Sequence, residues 1–151
     1  MKPAILLLLI ASLGCAAGGP ARTSPTVTIF QVSQVAPVRL AELPLDMSVA
    51  HGVPVDYEIK VTNPFDYPIS LTSVEVETVG SSGAYSMKRV RHAFSLVIDP
   101  RSAAVLPVRA WVQPLLASDT GDVNGPVTVR GSASFTSEAG AIKTGFAARV
   151  Q

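Results

Sequence analysis

From residue 26 onward, apolar and polar positions alternate in short runs broken by Pro, Gly, Asn and Asp. Val53, Val55, Tyr57, Ile59 and Val61 share one parity, and Pro54, Asp56, Glu58, Lys60 and Thr62 the other. A period of two with one parity apolar is a strand with a buried and a wet face. Val27 to Val35 reads as an earlier strand and Ile69 to Val79 as a later one. In the later strand the apolar parity changes between Leu71 and Val74 and Val76, which predicts a β-bulge. Phe94, Leu96 and Ile98 alternate up to Asp99-Pro100-Arg101-Ser102, a turn by its chemistry. Leu106, Val108, Ala110 and Val112 resume the pattern, and Pro107 places this strand at an edge or a bend. Leu115-Leu116-Ala117 has room for one helical turn. Val127 to Thr136, the turn Ser137-Glu138-Ala139-Gly140 and Ile142 to Val150 form a C-terminal hairpin. No segment sustains a 3.6-residue period. About seven strands with turns every eight to twelve residues predict an all-β, immunoglobulin-like antiparallel sandwich over residues 26–151. The Cys…Trp…Cys spacing of antibody domains is absent, and Trp111 stands alone.

The first 25 residues follow another rule. Lys2 precedes an apolar run from Ala4 to Leu13, and Gly14, Cys15, Ala16 and Ala17 follow. About ten apolar residues suit the core of an export signal and fall short of the ~20 that cross a bilayer as a helix. Ser12-Leu13-Gly14-Cys15 resembles a bacterial lipobox, with Leu13 one place later than the usual leucine. The resemblance implies cleavage before Cys15 and a diacylglyceryl group on its sulfur. Residues 1–14 are then a lipoprotein signal peptide and 15–25 a flexible tether of small residues, Pro and Gly. The partner this implies is membrane lipid, held through the acylated cysteine. The implied location is the cell envelope, on the periplasmic face of the outer membrane, since no Asp follows the cysteine. The other reading is an ordinary secretory signal cut near Ala17 or Ala21, leaving a soluble protein.

Charge narrows the partners further. The chain carries 12 Lys and Arg against 11 Asp and Glu, and loss of Lys2 with the leader balances the two. A neutral chain lacks the basic excess that nucleic acid attracts. One cysteine among 151 residues forms no internal disulfide, and lipidation gives it a use.

Val61-Thr62-Asn63-Pro64-Phe65-Asp66-Tyr67-Pro68-Ile69-Ser70-Leu71 resembles the signature of the late embryogenesis abundant (LEA) type 2 family, also called the WHy (water stress and hypersensitive response) domain. In that family a strand ends in Asn-Pro, and a second Pro precedes an apolar strand. Asp99-Pro100-Arg101-Ser102 with Val105-Leu106-Pro107-Val108 resembles its later turn and strand, and Val38-Arg39-Leu40 fits its start. Asp99 replaces a frequent first Pro, and Gly80-Ser81-Ser82-Gly83 lengthens one connection. The resemblance spans Val27 to Val150 and implies a small β-sandwich with a protective or structural role in desiccation or osmotic stress and no catalysis. Physical chemistry reads the signature as a corner: Asn63 bonds its own backbone and ends a strand, and Pro64 and Pro68 lack the N–H a ladder needs.

Catalytic and metal-binding patterns are weak. His51 and His92 are the only histidines, and no Cys or His spacing accompanies them. There is no Gly-x-Ser-x-Gly elbow and no phosphate loop. Glu75 and Glu77 share a strand face and read as solvated. No catalytic residue, metal ligand or cofactor is predicted. The one local cluster, Lys88-Arg89-Val90-Arg91-His92, reads as a solvated loop or strand start, or as a contact of Lys88, Arg89 and Arg91 with anionic headgroups near a membrane. Two functions remain: a protective or structural envelope lipoprotein, and a tethered adaptor that binds a partner protein through a sheet edge or loops.

Overall fold

The alternation becomes eight antiparallel strands in two facing sheets. The computed structural model describes residues 23–35, 52–80, 83–114 and 125–150. The strands are β1 (Thr26–Gln31), β2 (Val53–Thr62), β3 (Ile69–Val79), β4 (Tyr85–Ser86), β5 (Val90–Ile98), β6 (Ala103–Pro114), β7 (Val127–Ser137) and β8 (Gly140–Val150). The first sheet runs β1-β2-β6-β4 and the second β5-β3-β7-β8. β1 packs beside β8, and β5 beside β6. The signal, Cys15, most of the tether, Val38-Arg39-Leu40, His51, Ser81-Ser82 and Leu115-Leu116-Ala117 lie outside the described residues.

Three boundaries differ from the sequence reading. β4 is a strand of two residues, too short to show a period, paired with Gln113 and Pro114 of β6. β1 stops at Gln31 because the next amides turn onto β2: Val32 N and Ser33 N both donate to the Asp56 carbonyl (2.8 and 3.4 Å), while Asp56 N donates to the Ser33 hydroxyl (2.8 Å). β5 starts at Val90, four residues before Phe94, so Arg91 and His92 belong to a strand.

The bulge falls where the parity changes. Leu71 pairs with Leu96 and Phe135, and the next pairs are Ser73 with Ala93 and with Ser134. Thr72 is the extra residue against β7, and its hydroxyl donates to the Ser134 carbonyl (2.9 Å). The shift turns Ile69 and Leu71, then Val74 and Val76, into one core. Pro107 pairs with Glu58 on one side, and among the described residues no strand pairs with its other side, since β4 covers only the end of β6.

The inner faces meet over Tyr57, Ile59, Leu71, Val74, Val129 and Phe135, all at most 1% exposed. Burying an aliphatic or aromatic side chain of this kind contributes roughly 1.5–3 kcal/mol. Two tyrosines bring polar atoms into that core and satisfy each other. Tyr57 OH lies 2.7 Å from Tyr85 OH, and Tyr85 OH donates to Gln31 Oε1 at 2.6 Å, so Tyr57 is the donor to Tyr85. The chain of hydroxyls ties β1, β2 and the short β4.

Burial raises both phenols' pKa values above the ordinary tyrosine range. The folded state therefore keeps protons that the unfolded chain releases above about pH 10. Stability is expected to be flat below that pH and to fall as pH rises past it. In Tyr57→Phe the fall is expected to be shallower, at a cost near neutrality of about 1 kcal/mol for the lost hydroxyl bond. Urea midpoints between pH 7 and 11 check this; parallel curves for the two proteins would contradict it.

Candidate functional site

The chain crosses between sheets twice at one end of the sandwich, from β2 to β3 and from β5 to β6. Asn63 sits between these crossings, 1% exposed. Its amide nitrogen donates to the carbonyls of Tyr67 (2.9 Å), Ile98 (3.1 Å) and Asp99 (3.0 Å). Its side-chain oxygen accepts from Phe65 N at 3.0 Å, closing a turn of the kind Asn favours. Its backbone N–H donates to the Ser102 carbonyl (2.8 Å), and Arg101 N to the Phe65 carbonyl (3.0 Å). Arg101 takes a positive φ of 57° to make the second turn. Outside, the rings of Phe65 and Tyr67 stack at 4.9 Å, and Arg101 Nε pairs with Asp66 at 2.7 Å. That pair holds the Asp66 carboxyl below its usual range. Asn63, Pro64 and Pro68 thus stand in the first crossing, and the Asp99–Ser102 turn is the second. One side chain clasps both.

The basic cluster is divided. Arg89 lies at the start of β5 and grips Glu77 through Nε (3.2 Å) and Nη2 (3.1 Å). Arg91 donates to the Ser73 hydroxyl at 3.3 Å. Lys88 is exposed beside Trp111 and Gln113, away from that face. The structure instead brings Arg89 together with Arg130, whose Nε reaches the same Glu77 at 2.7 Å. The two guanidiniums, Arg89 first, hold the Glu77 carboxyl below its usual range. Glu77 stays on the outer face of the sheet, as a surface carboxylate, with 19% of its side chain exposed between the two guanidiniums. Around it a depression of about 240 Å³ is lined by Glu75, Glu77, Arg89, Arg130, Ser132 and Lys143.

Register explains why the sequence conceals this site. Outward positions on the second sheet carry Arg91 on β5, Glu75 and Glu77 on β3, Arg130 on β7, and Lys143 and Arg149 on β8. With Arg89 this is five cations against two anions. The outer face of the first sheet holds Lys60, Arg109 and, beside Trp111, Lys88 against Asp56 and Glu58. That face is close to neutral and partly apolar, with Phe30 54%, Val105 57% and Trp111 64% exposed. Neutral composition hides this asymmetry, because each strand contributes only one or two basic residues.

His92 faces inward on β5, opposite Val74. Its Nε2 is buried without a partner among the described residues, and burial lowers its pKa, which keeps the ring neutral. Among the described residues no group of three or more His, Cys, Asp or Glu is placed to hold a metal ion, and no helix is long and apolar enough to cross a membrane.

No protein-family model matches the chain, and no curated protein sequence matches it. Solved structures are similar in shape. The solution structure of a candidate LEA protein superposes with a TM-score of 0.55 at 14% identity, covering 83% of this chain and 68% of that one. A structural-genomics target gives 0.46 at 13% identity, covering 85% and 81%. A candidate ApaA protein from Bordetella pertussis gives 0.44 at 16% identity, covering 85% and 87%. The first likeness shows a LEA-like fold, and nothing rests on the other two.

Proposed function

We propose that the chain is a non-enzymatic envelope lipoprotein whose LEA type 2-like sandwich has a protective or structural role during desiccation or osmotic stress. One observation carries the reading: the turns of the two segments that resemble the family signature, Val61 to Leu71 and Asp99 to Val108, form a single clasp in a LEA-like fold. The clasp engages its polar groups internally, as a structural device does. Anchoring follows from the leader and from Cys15. One acyl chain gives marginal membrane binding and two or more hold stably, so a lipidated Cys15 keeps the domain at the bilayer.

Two measurements test the two halves. The intact mass of the mature protein extracted from membranes is expected to match cleavage before Cys15 plus a diacylglyceryl group, with or without a further acyl chain. A mass for cleavage near Ala17 or Ala21 without lipid would remove the anchor. Deletion of the gene is expected to lower survival of drying or osmotic shock, with restoration by the intact chain. Unchanged survival would remove the protective role.

A further inference from the structure

We infer that the outer face of the second sheet, centred on Arg89 and Arg130 where Glu77 holds them side by side, docks onto phosphate groups of anionic lipid headgroups. The inference deepens the membrane-tethered reading and rests on it for the choice of a lipid surface as the phosphate source.

Four observations converge. The larger cationic excess among the described residues lies on this face, five basic side chains against Glu75 and Glu77, while the opposite outer face carries Lys60, Lys88 and Arg109 against Asp56 and Glu58. Glu77 occupies only part of the donor capacity it gathers. Arg130 uses Nε and Arg89 uses Nε and Nη2, so both Nη groups of Arg130 and Nη1 of Arg89 have no protein partner among the described residues. Lys143 and Ser132 line the same depression, and neither side chain has a protein partner among the described residues. Paired guanidiniums with spare N–H groups suit the several acceptor oxygens of a phosphate better than a lone ammonium does.

The third observation is shape. About 240 Å³ of open space beside Gly131 and Ser132 admits a phosphate group. Arg91 and Arg149 extend the charge across strands β5 to β8, a breadth that matches a planar array of headgroups. The fourth is where the chain enters. Thr23 and Ser24, at the start of the described residues, line a second depression together with Phe65 and Tyr67 of the first crossing and Ala141, Ile142 and Lys143 of β8. The described chain therefore begins at the clasp end of the sandwich, beside the start of β8. A coil of about ten residues spans roughly 15–20 Å, and an anchor at its far end would hold this face near the bilayer.

The test uses the chain from Ala16 onward, which lacks the acyl site and retains every described strand; a thermal melt verifies folding. Co-sedimentation is measured with vesicles of phosphatidylcholine alone and of phosphatidylcholine with phosphatidylglycerol. Binding is expected only to the anionic vesicles and is expected to fade in high salt. The double variant Arg130→Gln, Lys143→Gln is expected to bind about thirtyfold more weakly, since each basic residue near an anionic surface contributes about 1 kcal/mol. The double variant Lys60→Gln, Arg109→Gln, equal in charge change but on the other sheet, is expected to bind within about twofold of the parent, its charges lying more than a Debye length from the surface. If the first variant fails to fold, Lys143→Gln, Arg149→Gln takes its place, because neither residue has a partner among the described residues to lose.

Absence of binding to anionic vesicles overturns the inference, as does an equal loss in the two sheet variants. A separate titration with inorganic phosphate distinguishes the source. Saturable binding of free phosphate without vesicle binding would assign the site to a soluble phosphate and overturn the lipid reading. Because this chain carries no lipid, failure here leaves the mass of the mature protein as an independent test of the anchor.

Discussion

Replacing Asn63 with alanine is expected to destabilise the domain by about 3 kcal/mol, measured as a drop in the urea midpoint at unchanged slope. The substitution removes one amide and leaves four backbone groups without it: the carbonyls of Tyr67, Ile98 and Asp99 and the N–H of Phe65. The bond to Ile98 is buried, so water does not easily replace it. A buried polar group left unpaired costs about 1–3 kcal/mol, more than a typical hydrogen bond contributes net. Asn63→Asp separates donor from acceptor. It keeps the oxygen that Phe65 bonds and points a second oxygen at three carbonyls. At neutral pH it is expected to lose about as much as alanine. Its carboxyl pKa is expected to lie above the usual ~3.9, so the folded state takes up a proton first as pH falls. This variant then regains stability on acidification. Asp56, Asp66 and Glu77, whose pKa values are lowered by Arg109, Arg101 and the Arg89–Arg130 pair, act in the opposite direction. A loss under 1 kcal/mol in both Asn63 variants would show that the clasp is not what holds the crossings.

Gly131→Ala is expected to cost about 3 kcal/mol, at the upper end of overpacking penalties. Gly131 lies on β7 between Val76 of β3 and Phe146 of β8. A Cβ there would stand inside van der Waals contact of the Glu75 carbonyl oxygen and 2.5 Å from Phe146 Cζ. The phenyl ring already fills the space over the glycine, so the methyl group must displace either the ring or a central strand. Gly145→Ala is the matched control. It lies on the neighbouring strand, and its nearest contact would be the Gly131 carbonyl oxygen at 3.8 Å. It is expected to change stability by less than about 0.5 kcal/mol. Equal losses in a thermal melt would mean that strand propensity, not the close approach, sets the effect.

These two positions differ in how far the sequence discloses them. Asn63 is legible because its role is local: Asn followed by Pro ends a ladder wherever it occurs. Its bonds to Ile98 and Asp99 are not legible, since they depend on two crossings arriving at one place. The periodicity of β2, the parity change in β3 and the C-terminal hairpin were readable for the same reason, each being set by residues within one run. Gly131 reads only as one more small residue in an alternating strand; the pressure on it comes from β3 and β8. The cationic face is hidden in the same way. Arg89, Arg130 and Lys143 stand far apart in sequence, and only the register across β5, β3, β7 and β8 makes them neighbours. Within the contiguous Lys88-Arg89-Val90-Arg91, alternation keeps Arg89 and Arg91 on the outer face of the second sheet and turns Lys88 toward Trp111.

The order of strand pairing has a consequence for how the chain is made. β2 finds its partner β6 only after Ala103 has been synthesised, and β3 finds β7 only after Val127. Of all the pairings, only β7 with β8 joins consecutive strands through a tight turn. Folding dominated by such distant pairings is slow, on the order of milliseconds to seconds. A ribosome adds roughly 5–20 residues each second, so most of the chain is exposed before either central sheet can close. Were the chain exported in extended form, as the proposed leader implies, late closure would keep it threadable until its last two strands arrive.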